Sequence, residues 1–156
     1  MKQVFKMKTN SPAETKKLAR ELGRNLRAGD VLALRGELGA GKTTFAKGVA
    51  KALGVRSEAE VSSPTFVIIH EYEARVPIYH LDWYRLKTVE GSDREFAEEC
   101  FQAPGVTFVE WPERGTDVLP KQRIEVCLSH AGGRSRTIRI HALGKKYENF
   151  GIRHLR

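Results

Sequence analysis

A chain of 156 residues, 40% of them hydrophobic and 29% charged, has the size and composition of one soluble domain, too short for two full ones and too apolar for a disordered chain. Cys100 and Cys127 stand 27 positions apart, with neither zinc-ligand nor disulfide-framework spacing, and no stretch approaches the ~20 apolar residues of a membrane span, so a cytoplasmic protein with two free thiols and no membrane partner is expected. The net charge of +8 favours anionic partners such as nucleotides or RNA without proving nucleic-acid binding.

In chain order, the first eight residues are basic and lack the apolar core of a signal peptide. Ser11-Pro12-Ala13-Glu14 reads as a helix start: Ser11 caps, Pro12 suits the first helical position, and Glu14 completes a capping box. Leu18, Leu22 and Leu26 then form an apolar stripe. Gly29-Asp30 turns the chain into Val31-Leu32-Ala33-Leu34, a continuous apolar run of the kind a buried parallel strand needs. A second helix follows from Lys42 to Leu53, with Gly54 at the left-handed position that ends it.

Phe66 to Glu73 alternates, and Ile78 to Asp82 follows Pro77, which predicts a hairpin. Ser92-Asp93-Arg94-Glu95 reads as a second capping box, opening a short helix through Phe101. Val106 to Val109 is another buried-strand run, closed by Glu110 and followed by Trp111-Pro112. Ile124 to Leu128 and Thr137 to His141 alternate on either side of Gly132-Gly133, the pattern of an antiparallel hairpin. The reading is therefore an α/β P-loop domain over residues 1–143, with a mixed, mainly parallel sheet flanked by helices and a C-terminal hairpin, and then a loose basic tail over 144–156. Arg134, Arg136, Arg139, Lys145, Lys146, Arg153 and Arg156 give the C-terminal end its charge, which fits a solvated face as well as an RNA surface.

The chemistry concentrates between the first buried strand and the second helix. Gly36-Glu37-Leu38-Gly39-Ala40-Gly41-Lys42-Thr43 matches the phosphate-loop pattern in its confirming context of strand before and helix after. Glycines let successive amides turn inward around a polyphosphate, and the helix N-terminus adds about half a positive charge. Lys42 reaches the outer phosphates of ATP or GTP, and the Thr43 hydroxyl ligates Mg²⁺. Magnesium keeps most of its water and takes one or two protein oxygens, so a strand-end carboxylate is expected opposite Thr43. Glu110 ends the more apolar run and is favoured as the metal-side group, leaving Asp82 to position water or stand behind the metal ligands. Either carboxylate also reads as a turn cap. Thr65, in the stiff turn Ser63-Pro64-Thr65, reads equally as a phosphate-sensing switch and as a plain turn residue. Trp83 and Trp111, each following one of the carboxylates, read as core aromatics, or as residues that cover the nucleotide or dock a partner, and His80 reads as a residue packed in the sheet.

Gly36 to Thr44, Ser63-Pro64-Thr65-Phe66, His80-Leu81-Asp82-Trp83-Tyr84-Arg85-Leu86 and Val109-Glu110-Trp111-Pro112, in this order and spacing, closely resemble the TsaE family, formerly called YjeE. The resemblance covers roughly residues 9 to 120 and implies a bacterial Mg²⁺-dependent ATPase of tRNA threonylcarbamoyladenosine synthesis. It implies TsaD and TsaB as partners, with tRNA met through that complex. The family's functional positions fall on Lys42, Thr43, Asp82, Glu110 and Trp111, and its SPT threonine falls on Thr65. Its segment before the first helix lines the adenine side, which points to Ser11 or a neighbour. Between Leu86 and Val106 the match is loose, so contacts with partners are where this chain would differ. Arg85 is a candidate arginine finger, and weak turnover that rises with the partner complex is expected. Two rival readings remain: a small-molecule kinase, for which neither acceptor pocket nor lid is visible, and an RNA-binding module using the basic surface.

Overall fold

The computed structural model describes residues 2–62 and 69–152. Its seven strands are β1 (Lys2–Thr9), β2 (Val31–Arg35), β3 (Ile69–Tyr72), β4 (Ile78–Asp82), β5 (Val106–Glu110), β6 (Arg123–His130) and β7 (Arg136–Leu143), and its α-helices are α1 (Pro12–Gly23), α2 (Lys42–Ala52) and α3 (Gly91–Gln102). They form one sheet in the order β1-β7-β6-β2-β5-β4-β3. The four central strands β6, β2, β5 and β4 run parallel, while β1 and β3 close the two edges antiparallel. The expected mixed, mainly parallel sheet with a C-terminal hairpin is the architecture found.

Strands β2 and β5 are buried on both sides because helices cover both faces. Leu32, Leu34, Phe108 and Ile124 join α1 and α2 in the larger core. Val31, Val109, Leu81 and Trp83 join Ala97 and Cys100 of α3 in the smaller one. Burying Phe45 of α2 completely contributes about 2–3 kcal/mol. Helices α1 and α2 meet through small residues: a Cβ on Gly48 would lie 2.6 Å from Cβ of Ala19, so the close approach depends on glycine. Gly54, with φ of +100°, follows α2 in the left-handed conformation expected of it.

Four features differ from the sequence reading or add to it. The N-terminal residues form strand β1, paired with β7 from Lys2↔Leu143 to Thr9↔Arg136; Phe5 and Met7 lean on the core while Lys6 and Lys8 face outward. The capping box of α1 is displaced by one residue, for Ser11 Oγ accepts from the Glu14 amide at 3.1 Å but Glu14 returns its bond to the Asn10 amide at 2.6 Å. Helix α3 opens at Gly91, with Glu90 as its cap residue and no side-chain capping bond, so Ser92 lies inside the first turn.

The loose tail is the fourth. Residues 145–147 form a 3₁₀ turn, Tyr147 and Ile152 are buried, and the Tyr147 hydroxyl donates to Asp30 Oδ1 at 2.8 Å. Lys146 Nζ lies 2.6 Å from the same oxygen, and Asp30 Oδ2 accepts from the Arg27 amide at 2.6 Å. Burial first, and then the Asp30 carboxylate, pushes the Tyr147 phenol well above its usual range. The segment is pinned because a buried carboxylate at the foot of β2 needs partners. Among the described residues no helix is long and apolar enough to cross a membrane.

Candidate nucleotide site

The site forms where β2 ends and α2 begins. Gly39 and Gly41 take φ of +78° and +104°, a region that favours glycine, and a Cβ on Gly36 would come within 2.8 Å of the Leu128 carbonyl oxygen. The loop therefore curls tightly onto the start of α2, where the two border a cleft of about 310 Å³. Leu38, Gly39 and Gly41 through Thr44 line it on one side, Glu110 and Trp111 on the other. Residues far apart in sequence meet here because β2 and β5 are adjacent parallel strands, with Leu34 opposite Glu110.

Lys42 is buried at the centre. Its ammonium donates to the Gly36 carbonyl at 2.6 Å and lies 3.7 Å from the centroid of the Trp111 ring. Burial lowers its pKa, and the charges of Glu110, Glu113 and Asp82 oppose that shift. Trp111 reaches this position from a left-handed backbone, φ 59° and ψ 48°, the sole non-glycine positive φ among the described residues. Such a conformation costs on the order of 1–3 kcal/mol and gathers at functional sites. Tyr84 supports the ring, centroids 5.0 Å apart. The two tryptophans thus separate: Trp111 walls the cleft and Trp83 belongs to the smaller core.

The two carboxylates, opposite one another on β4 and β5, also separate. Asp82 is buried and its Oδ1 accepts from the Tyr84 amide at 2.8 Å, the turn-capping bond foreseen as its alternative. Glu110 lines the cleft, and its Oε2 is 2.7 Å from His80 Nε2 in a pair closed to solvent. His80 is packed in the sheet, as read, and is also the partner of Glu110. Thr43 and Glu110 offer hard oxygen donors in one cleft, and among the described residues no three His, Cys, Asp or Glu side chains cluster as a metal cage. That donor set suits magnesium, which completes its shell with phosphate oxygens and water.

Ser11 caps α1 beside a smaller cavity of about 100 Å³ on the other flank of the loop, lined among others by Pro12, Thr15, Thr44, Arg134 and Arg136. Glu37 is exposed at the loop tip, Ala40 is buried beneath it, and Arg85 is exposed in the turn after β4. Ser63-Pro64-Thr65, and with it the switch reading of Thr65, lies outside the described residues.

Arg136 was missed as a site residue. From the first position of β7 its guanidinium donates to the carbonyls of Ala40 at 3.0 Å and Gly39 at 3.3 Å, pinning the outer side of the loop. No local motif signals this contact, which spans 96 positions of sequence; only the meeting of the hairpin with the loop creates it.

A seven-stranded α/β sheet whose first parallel strand runs through a glycine loop into a helix defines the P-loop class of fold. Within it, the family described as threonylcarbamoyl adenosine biosynthesis protein TsaE matches residues 9–138. The chain is 43% identical over 149 residues to the tRNA threonylcarbamoyladenosine biosynthesis protein TsaE of Bacillus subtilis (strain 168), covering 95% of this chain and 91% of that one. It is 36% identical to the protein of the same name from Treponema pallidum (strain Nichols), covering 85% and 96%. The crystal structure of Bacillus subtilis YdiB superposes with a TM-score of 0.78 at 37% identity, over 96% of this chain and 92% of the other. The chain belongs to the TsaE family.

Proposed function

We propose that this protein is a cytoplasmic Mg²⁺-dependent ATPase of tRNA threonylcarbamoyladenosine biosynthesis, acting with TsaD and TsaB and meeting tRNA through that complex. The observation that carries the reading is the meeting of the glycine loop, the buried Lys42 and Glu110 around one cleft, within a chain of the TsaE family.

Lys42 leaves the Gly36 carbonyl for the terminal phosphate oxygens of ATP and, with the loop amides and the N-terminus of α2, offsets the negative charge that grows on the transferred group. Thr43 and Glu110 hold the metal, which when bound supplies a double positive charge against the phosphate oxygens. Either Asp82 or Thr65 orients the attacking water. Trp111 walls the cleft over Lys42, and Ser11 and its neighbours face the nucleoside side. Arg85, exposed in the turn after β4, is the candidate to reach the phosphates when a partner docks.

The test is phosphate release from ATP by the purified chain, alone and with TsaD and TsaB. Slow turnover that rises with the partners is expected. Rates unchanged by the partners would refute the coupling, and no hydrolysis under either condition would refute the activity.

A further inference from the structure

His80 is completely buried and has a partner on each ring nitrogen. Nε2 faces Glu110 Oε2 at 2.7 Å, and Nδ1 faces the Tyr72 hydroxyl at 3.1 Å. That hydroxyl also accepts from the Ser62 amide at 3.4 Å and lies 3.1 Å from the Ser62 carbonyl, and its one proton serves Nδ1 when Nε2–H donates to Glu110. A continuous hydrogen-bonded line thus runs from the cleft carboxylate, through β4 and β3, to the main chain at residue 62.

The sheet register explains the line. Asp82 lies opposite Glu110 and His80 opposite Phe108, so His80 sits one rung below Glu110 on the same face, within diagonal reach of a long side chain. The ring packs edge-on to both Phe108 and Tyr72, which leaves it little freedom to turn. A glutamate at a strand end has several rotamers, and fixing one of them costs conformational entropy. With Oε2 held from below, the aim of Glu110 into the cleft is settled before any ligand arrives. An apolar side chain would fill the same space without the cost of burying a polar ring beside a carboxylate, so packing alone does not account for histidine here.

We propose that His80 is a positioning residue that aims the Glu110 carboxylate at the metal, and that Tyr72 anchors His80 to the main chain at Ser62. The inference rests on the metal-side role of Glu110 given under Proposed function. It concerns the hold on magnesium rather than the hold on the nucleotide, since neither His80 nor Tyr72 lines the cleft.

Calorimetry on the full chain tests it, with Mg²⁺ titrated into the ADP-saturated protein and ADP titrated separately without magnesium. His80→Phe should weaken Mg²⁺ about 10- to 100-fold, the usual range for removing the partner of a metal-ligating group, while ADP alone changes by less than about threefold. His80→Gln, whose amide nitrogen can replace Nε2, should recover most of the loss. Tyr72→Phe, which keeps the ring and removes only the hydroxyl, should show a smaller loss of the same kind, and it decides the matter if His80→Phe fails to fold in a thermal melt. Unchanged Mg²⁺ affinity, a parallel loss of ADP affinity, or no recovery with glutamine would overturn the positioning role. A wild-type chain that takes up ADP but no magnesium would instead overturn the metal-side role of Glu110, and this inference with it.

Discussion

The ammonium of Lys42 stands 3.7 Å above the ring of Trp111 while donating to the Gly36 carbonyl. The cation is held in place by a ring, a carbonyl and the nearby carboxylates, in a pocket that burial would otherwise make hostile to charge.

Lys42→Ala removes the side-chain cation that, among the described residues, lines the cleft. It should lower ATP turnover by about 100-fold or more, the scale on which a single transition-state charge stabiliser acts. Phosphate release measured with the partner proteins present checks this, and wild-type-like rates would count against the cleft as the site of hydrolysis.

Arg136→Ala frees the carbonyls of Gly39 and Ala40 from their charged donor. Hydrogen bonds to charged groups are worth about 1.5–3 kcal/mol, although the partly exposed guanidinium places this case at the low end. Loss of the clamp should loosen the loop, so that nucleotide affinity falls more than stability does. Calorimetric nucleotide binding set beside urea unfolding separates the two effects.

Glu125 provides a pH test away from the cleft. Burial would raise its pKa, but hydrogen bonds and charge from Arg35 and Arg123 outweigh burial and hold it below the usual carboxylate value; Arg123 Nη2 is 2.6 Å and Arg35 Nη2 3.2 Å from Oε1. A carboxylate depressed in the folded state stabilises fully above its unfolded pKa of about 4.3 and loses that contribution as pH falls through the lower folded value. Wild type should therefore exceed Glu125→Gln in unfolding free energy at pH 7. The gap should narrow below about pH 4, as followed by denaturant unfolding across the range.

Tyr147→Phe keeps the buried ring and removes the donor to Asp30. With Lys146 and the Arg27 amide still in place, the loss should be about 1 kcal/mol, read as a lower urea midpoint with unchanged slope. A truly loose tail would show no change.

Local patterns made much of this legible. The glycine loop announced itself because a phosphate cradle needs small residues at fixed offsets before a helix. The apolar runs of β2 and β5 announced buried parallel strands because both faces must be covered. The alternation of Phe5 and Met7 with Lys6 and Lys8 was equally readable, yet one strand at a sheet edge has meaning only once β7 supplies its partner. The Asn10 amide took the Glu14 bond, and Gly91 opened α3, because cap geometry depends on how the chain enters the helix rather than on residue type alone.

The loop, the helix that follows it, the parallel core and the family could be read from the residues alone. So could two carboxylates at strand ends, since each of these follows from spacing within a short stretch of chain. It took the folded chain to show that Glu110 faces the cleft and bonds His80 while Asp82 caps a turn, that Trp111 covers Lys42 while Trp83 fills a core, and that Arg136 and Tyr147 hold distant segments. Those choices depend on sheet order and on which groups meet across it, and burial sets their energies; neither quantity is local to any run of residues.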